Sequence, residues 1–259
     1  MNNKLPPLRA PSARPAMHAA AHAQARKPLI GVILGASRQG RLSEVPAQWI
    51  HGLASRRDDL QVELMDVGSH PLPFFDAPLA PQPGSPSRAA IGRHWTALLE
   101  RLDGFVVVVP GDDPLRIARP CDPAGPESRA FLHKPVGFVG YGKRAVMPNV
   151  HALRSLASAL RMAPVNREVH LTIREVMSVW RMDLGFEDHP HLARCAQDML
   201  DELSWWAYAL RAARERAPAA HVPSASPALL HRARQFVHRW AHRPQAAAAR
   251  PAGTLAEGA

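Results

Sequence analysis

Apolar residues in this chain gather in short runs separated by helical stripes, and the alternation begins at Leu29. Residues 29–34 (LIGVIL) form a wholly apolar, β-branched run that ends at a glycine, as expected of a central strand covered on both faces. Ser43 then stands at an N-cap position and Pro46 falls in the first turn, where its missing N–H does no harm. Val45, Trp49 and Leu53 recur at helical spacing, which predicts a helix to about Arg57. Residues 60–67 read as a second strand. The PLPFFD segment, residues 71–76, carries prolines that forbid regular continuation and reads as a loop.

Ile91, Trp95, Leu98 and Leu102 form the stripe of a second helix, which leads into a third strand, GFVVVVP, at residues 104–110. A fourth strand is predicted over residues 135–139. Val150, Leu153, Leu156 and Leu160 then mark a helix, and a fifth strand runs near residues 165–173. Leu192, Met199, Leu203, Trp206 and Leu210 mark a long final helix. Strand and helix alternating in this way imply one α/β domain, with a parallel sheet, right-handed crossovers and helices on both faces.

The ends of the chain differ from its middle. Residues 1–27 are rich in Ala, Pro, His and Arg, and residues 217–259 repeat that bias, so neither buries enough apolar surface to offset chain entropy. The folded domain is therefore expected over residues 28–216. Within the second tail, Leu229, Leu230, Ala233, Phe236, Val237 and Trp240 fit one helical face, with Arg232, Arg234 and Arg239 around it. That pattern reads as a short helix docking on its own domain or on a second subunit, or alternatively as a basic amphipathic helix that binds a surface.

Charge follows the same division. Of the net +10, nine charges lie outside residues 28–217, which hold 22 Lys/Arg against 21 Asp/Glu. The basic balance thus describes solvated tails first, and no nucleic-acid partner is expected of the core. Cys121 and Cys195 match no metal or redox spacing, there is no secretory signal pattern, and no run of about 18 apolar residues marks a membrane span. These features fit a cytoplasmic protein. His18 and His22 have ligand spacing without a third partner, and read as part of an exposed tail. Of Trp205 and Trp206, one must face the core of the final helix, and both are read as core or oligomer packing.

In an open parallel sheet, ligands bind beyond the carboxyl ends of the strands. This directs attention to the loop after the first strand, GASRQGRLS, residues 35–43. The loop opens onto a helix, so its N–H groups and the helix dipole favour an anion, while Ser37 adds a hydroxyl and Arg38 a forked cation. A plain tight connection accounts for the glycine and serine, but it has no need of Arg38 and Arg41. The glycine spacing and the missing lysine exclude a dinucleotide fingerprint and a P-loop.

With these residues in view, GASRQGRLSEVPAQWI resembles the opening of the NADPH-dependent FMN reductase family, where a G-S-x-R-x-G-R turn holds the flavin phosphate. PLPFFD, GFVVVVP, KPVGFVGYG, ALRSLASALRMAPV and LDELSWWAYALRAARE are similar to that family in order and spacing, over residues 28–216. The resemblance implies a flavodoxin-like three-layer sandwich with a five-stranded parallel sheet in the order 2-1-3-4-5. It also implies FMN and NADPH as cofactors, flavin and nicotinamide nucleotides as partners, and a homodimer or homotetramer. Gly35, Ser37, Arg38, Gly40 and Arg41 would surround the phosphate, and Pro110 with the Tyr141-Gly142 turn would approach the isoalloxazine ring. No side chain need act as acid or base, because hydride chemistry belongs to the cofactors.

The departures from the family pattern are local. Where the family has P-E-Y-N after the third strand, this chain has Pro110-Gly111-Asp112-Asp113, without the aromatic and the amide that border the ring. Asp112 and Asp113 read as a solvated turn, with an acid–base or metal-binding pair as the alternative. Pro114, Pro120, Pro123 and Pro126 interrupt the next helix at about 3 kcal/mol for each interior proline, which predicts an irregular crossover. KRAVMPN, residues 143–149, replaces a glycine-rich turn. Two functions are therefore expected as rivals: an FMN-binding NAD(P)H-dependent oxidoreductase of the flavin or quinone reductase type, and a non-catalytic flavodoxin-like binding or regulatory protein.

Overall fold

A computed structural model describes residues 26–34, 42–66, 88–110, 126–142, 146–182, 185–186 and 189–216. The two most apolar runs form the middle of the sheet. Strand β1 (Leu29–Leu34) lies between β2 (Gln61–Asp66) and β3 (Gly104–Pro110), and β3 pairs in turn with β4 (Pro135–Gly142). All these pairings are parallel. The fifth strand is in two pieces, β5 (Ala163–Pro164) on the start of β4 and β6 (Val169–Thr172) on its end, so the order is 2-1-3-4-5.

Successive residues of a strand point to opposite faces, and here both faces are covered, which is why β1 and β3 are apolar without alternation. Ile30, Val32, Val106, Val108 and Val139 face one layer, built from α1 (Glu44–Ser55), α4 (Ile173–Met182) and α5 (Pro190–Arg216). Ile33, Phe105, Val107, Val109 and Phe138 face the other, built from α2 (Arg88–Arg101), α3 (Val146–Ala159) and the 3-10 segment Pro126–Phe131. The result is the flavodoxin-like three-layer sandwich. Gly31 is needed where β1 meets the end of α2, since a Cβ there would lie 2.5 Å from Leu102 Cδ1 and 3.1 Å from Met65 Sδ. No helix among the described residues is long and apolar enough to cross a membrane.

Several expected boundaries shift. Strand β4 runs past residue 139 to Gly142, and the crossover before it carries only the 3-10 segment in its described part. The apolar stretch near residues 165–173 ends as a strand at Thr172, because α4 begins at Ile173. Thr172 and Glu175 form a reciprocal cap there: the Thr172 N–H donates to Glu175 Oε2 at 2.7 Å, and the Glu175 N–H donates to Thr172 Oγ1 at 3.2 Å. Ser43 does precede α1, but it has helical angles, φ −75° and ψ −23°, and its hydroxyl makes no capping bond. A serine caps from the extended region, and from helical angles its oxygen does not reach the first-turn N–H groups.

The break in the fifth strand is filled from α5. The Glu202 carboxylate accepts from the Asn166 N–H at 2.8 Å and the Arg167 N–H at 3.1 Å, while the Val165 N–H remains bonded to Val136 O. At the turn after α1, Arg57 forks onto Asp59 with two bonds of 2.8 Å and reaches Asp201 of α5 at 2.6 Å; Asp59 also accepts from Ser204 Oγ at 2.6 Å.

At the amino edge of the sheet, the buried Asp103 accepts from the Leu29 N–H at 3.0 Å, from Arg26 at 2.9 Å and from Arg214 at 3.1 Å. Beside it the buried Lys134 ammonium donates to the Leu99 and Glu100 carbonyls at 2.8 and 3.2 Å, capping the end of α2. Burial and then the Arg214 charge bring the Lys134 pKa down to about 8, against a smaller opposing pull from Asp103 and Glu100. The unfolded chain keeps this proton to about pH 10.5, so between pH 8 and 10.5 the unfolded state binds more protons and stability gains from rising pH. Denaturant unfolding across that window should show a contribution of about 3 kcal/mol that Lys134→Met removes.

Candidate functional site

The carboxyl edge of the sheet is where the sequence reading puts the candidate site, and three of its named residues lie among the described ones. Leu34, Asp66, Pro110, Gly142 and Thr172 end the strands of this edge. Residues 35–41, 67–87, 111–125 and 143–145 follow the first four of these ends and lie outside the described residues. Gly35, Ser37, Arg38, Gly40 and Arg41 fall in the first of these segments, between Leu34 on the central strand and Leu42 before α1. Asp112 and Asp113 fall in the third.

The strands do bring together the remaining three candidates. Pro110 and Tyr141 are direct register partners at the ends of β3 and β4, and Gly142 pairs with Thr172 of β6. Tyr141 and Gly142 are thus strand residues rather than a turn. The alternation along β4 sends the Tyr141 ring into the apolar layer under α1 and α5, where the residue is only 6% exposed. Gly142 has φ 152°, a backbone conformation that side-chain-bearing residues rarely adopt. Strand β4 therefore ends on a residue with no side chain over the edge.

Next to this edge lies a polar cluster that the sequence reading did not single out. The Glu175 carboxylate that caps α4 also meets His191 Nε2 at 3.2 Å, and the His189 and His191 rings stand edge to face with centroids 6.1 Å apart. Burial pushes the Glu175 carboxyl up, but hydrogen bonds from Thr172 and the charges of His191 and His189 outweigh it and hold it below the usual range. The signal for the Thr172–Glu175 half was present as T-x-x-E. The histidines come from the start of α5 and carry no local signature. Among the described residues, no group of three or more His, Cys, Asp or Glu is placed to hold a metal ion.

The central strand thus ends immediately before Gly35, α1 begins at Glu44, and Pro110 stands beside Tyr141. Residues 28–111 match the family model described as NADPH-dependent FMN reductase. Through this segment the chain is similar to that family. The match ends one residue past Pro110, where the chain departs from the P-E-Y-N pattern. The NAD(P)H-dependent FMN reductase ntnL of Nectria sp. is 29% identical over 86 residues, 31% of this chain and 43% of that protein, so the chain spans less than half of this relative. An oxidoreductase from Corynebacterium diphtheriae superposes with a TM-score of 0.50 at 16% identity, over 71% of this chain and 99% of the other. RosB with a bound intermediate superposes with a TM-score of 0.50 at 12% identity, over 90% and 99%. At such identities the likeness is one of fold.

The geometry of this carboxyl edge makes Gly142 a test of how it is built. Gly142→Ala is expected to cost about 1–3 kcal/mol in chemical denaturation because of its φ, with the far-ultraviolet circular dichroism of the sheet unchanged.

Proposed function

We propose that this chain is an FMN-binding, NAD(P)H-dependent oxidoreductase of the flavin or quinone reductase type. The observation that carries the reading is the register of the carboxyl edge. The central strand ends at Leu34, immediately before Gly35, and the adjacent strands end with Pro110 opposite Tyr141.

The donor set fits the group. A flavin phosphate needs N–H donors and cations, which the backbone of residues 35–41, the Ser37 hydroxyl and the Arg38 and Arg41 guanidinium groups supply beside a helix start that Ser43 leaves without a side-chain cap. A planar ring needs a surface without projecting side chains, and β4 ends on Gly142. When bound, FMN supplies the hydride chemistry between the nicotinamide and the acceptor. The protein's own work is to bind the phosphate, to set the ring against Pro110 and Gly142, and to leave a face open for the nicotinamide. No proton carrier at a reacting atom is required of the side chains.

The second reading is a non-catalytic flavodoxin-like binding or regulatory protein, and the sequence after Pro110 favours it. Gly111 offers no face to the ring, and Asp112 and Asp113 add negative charge where a reduced, anionic flavin would sit, which opposes reduction. Four prolines after the third strand also mean that any contact made there carries the cost of ordering a loop. FMN binding is accordingly expected to be weak and NADPH oxidation slow.

Titration of the protein with FMN, followed by visible absorbance, separates the two readings: a perturbed flavin spectrum and NADPH-dependent bleaching support the enzyme. Arg38→Ala should weaken FMN by about 1.5–3 kcal/mol with the fold intact, and equal affinity in wild type and variant would remove the loop from the site. Replacing Gly111-Asp112-Asp113 by Glu-Tyr-Asn should tighten FMN in the same titration. Submicromolar affinity with rapid turnover in the unmodified protein would return the chain to the ordinary reductases.

A further inference from the structure

The outer face of α5 carries the most exposed of the large apolar side chains among the described residues. Trp205 is 47% exposed there, its ring edge against the partly buried Trp206 at 5.0 Å. One turn on, Ala209 and Ala213 are exposed and continue the stripe toward the end of the helix at Arg216. One turn back, Asp198 and Asp201 are exposed and carry negative charge, with Asp201 already meeting Arg57. A helix face with an open tryptophan, then alanines that allow close approach, and acids at the far end is shaped for a second helix with a basic end.

Such a helix is written in the same chain. Residues 229–240 lie outside the described residues, and their apolar positions 229, 230, 233, 236, 237 and 240 keep strict helical spacing. Arg232, Arg239 and Arg243 follow one another at spacings of seven and four, on one flank of that stripe. The lengths agree with a return path. A helix over residues 229–240 is about 18 Å long, and the path along α5 from Arg216 back to Trp205 is about 17 Å. Residues 217–228, with prolines at 218, 223 and 227 that disfavour continuing α5, can reach at most about 40 Å, ample for a reversal.

We propose that residues 229–240 form a helix that runs back antiparallel along the outer face of α5, laying its apolar stripe on Trp205, Ala209 and Ala213 with Arg239 and Arg243 toward Asp198 and Asp201. In this arrangement the face is covered by the chain's own carboxyl-terminal segment, and the basic flank of that segment is met by the acids of α5 instead of by an external polyanion. Antiparallel packing also sets the two helix dipoles head to tail.

Hydrogen–deuterium exchange by mass spectrometry on the full 259-residue chain tests the proposal. Amides of residues 229–240 are expected to exchange at least about tenfold more slowly than a free peptide of that sequence, at a rate unchanged on dilution. Ala209→Arg, on the exposed side of α5, should remove that protection while leaving the amides of α5 as they were; Leu230→Asp, outside the domain, should do the same. Exchange at the free-peptide rate in the unmodified chain would overturn the proposal, as would protection that survives Ala209→Arg. Protection lost on dilution in step with a change of sedimentation coefficient would also overturn it, by making a second copy of the chain the occupant.

Discussion

Removing a carboxylate from water costs several kcal/mol unless its oxygens are matched, and Asp103 meets that condition with partners from two distant parts of the chain. The Leu29 N–H and Arg26 come from the start of β1, and Arg214 from the last turns of α5, with Arg211 nearby at 3.8 Å. Asp103 itself immediately precedes β3, and its own N–H donates to Leu29 O at 2.6 Å. One side chain thus fixes the relative height of the two central strands and seats the end of α5 against them. Everything at the opposite edge inherits that register, including the alignment of Leu34, Pro110 and Tyr141.

The two ends of the sheet consequently do different work. The amino edge is tied by ionic and capping contacts, with Lys134 closing α2 and Arg214 also donating to His133 O at 2.6 Å. The carboxyl edge is where the chain leaves the strands into its longer connections, and where the family resemblance gathers its phosphate residues. A ligand site at the second edge requires the first to supply rigidity.

Much of this was legible in the sequence because it depends on local pattern. LIGVIL and GFVVVVP had to be covered on both faces, and the stripes of α1, α2, α3 and α5 had one apolar side. The order of the strands came from the family resemblance. What escaped was what depends on distant partners. The fifth strand looks continuous until Glu202, more than thirty residues on, takes the N–H groups of Asn166 and Arg167. The family resemblance puts Tyr141 and Gly142 in a turn, yet parallel pairing with β3 carries the strand to Tyr141 and pairing with β6 carries it to Gly142. Asp103 is a lone acid beside a strand, and nothing near it in sequence announces Arg214. The candidate phosphate segment, residues 35–41, lies outside the described residues, and its reading rests on two arginines that a plain turn does not need.

The broken fifth strand has a further meaning for how the molecule behaves in a crowded solution. A parallel sheet ends at two outer strands whose free N–H and C=O groups are ready templates for strands of other chains. On one side this template is interrupted: between Ala163–Pro164 and Val169–Thr172 two backbone donors are already turned inward to a helix carboxylate, and Pro164 has no N–H to offer. An incoming strand finds no unbroken ladder to extend. The irregularity that obscures the strand in the sequence therefore acts as a guard against edge-to-edge aggregation.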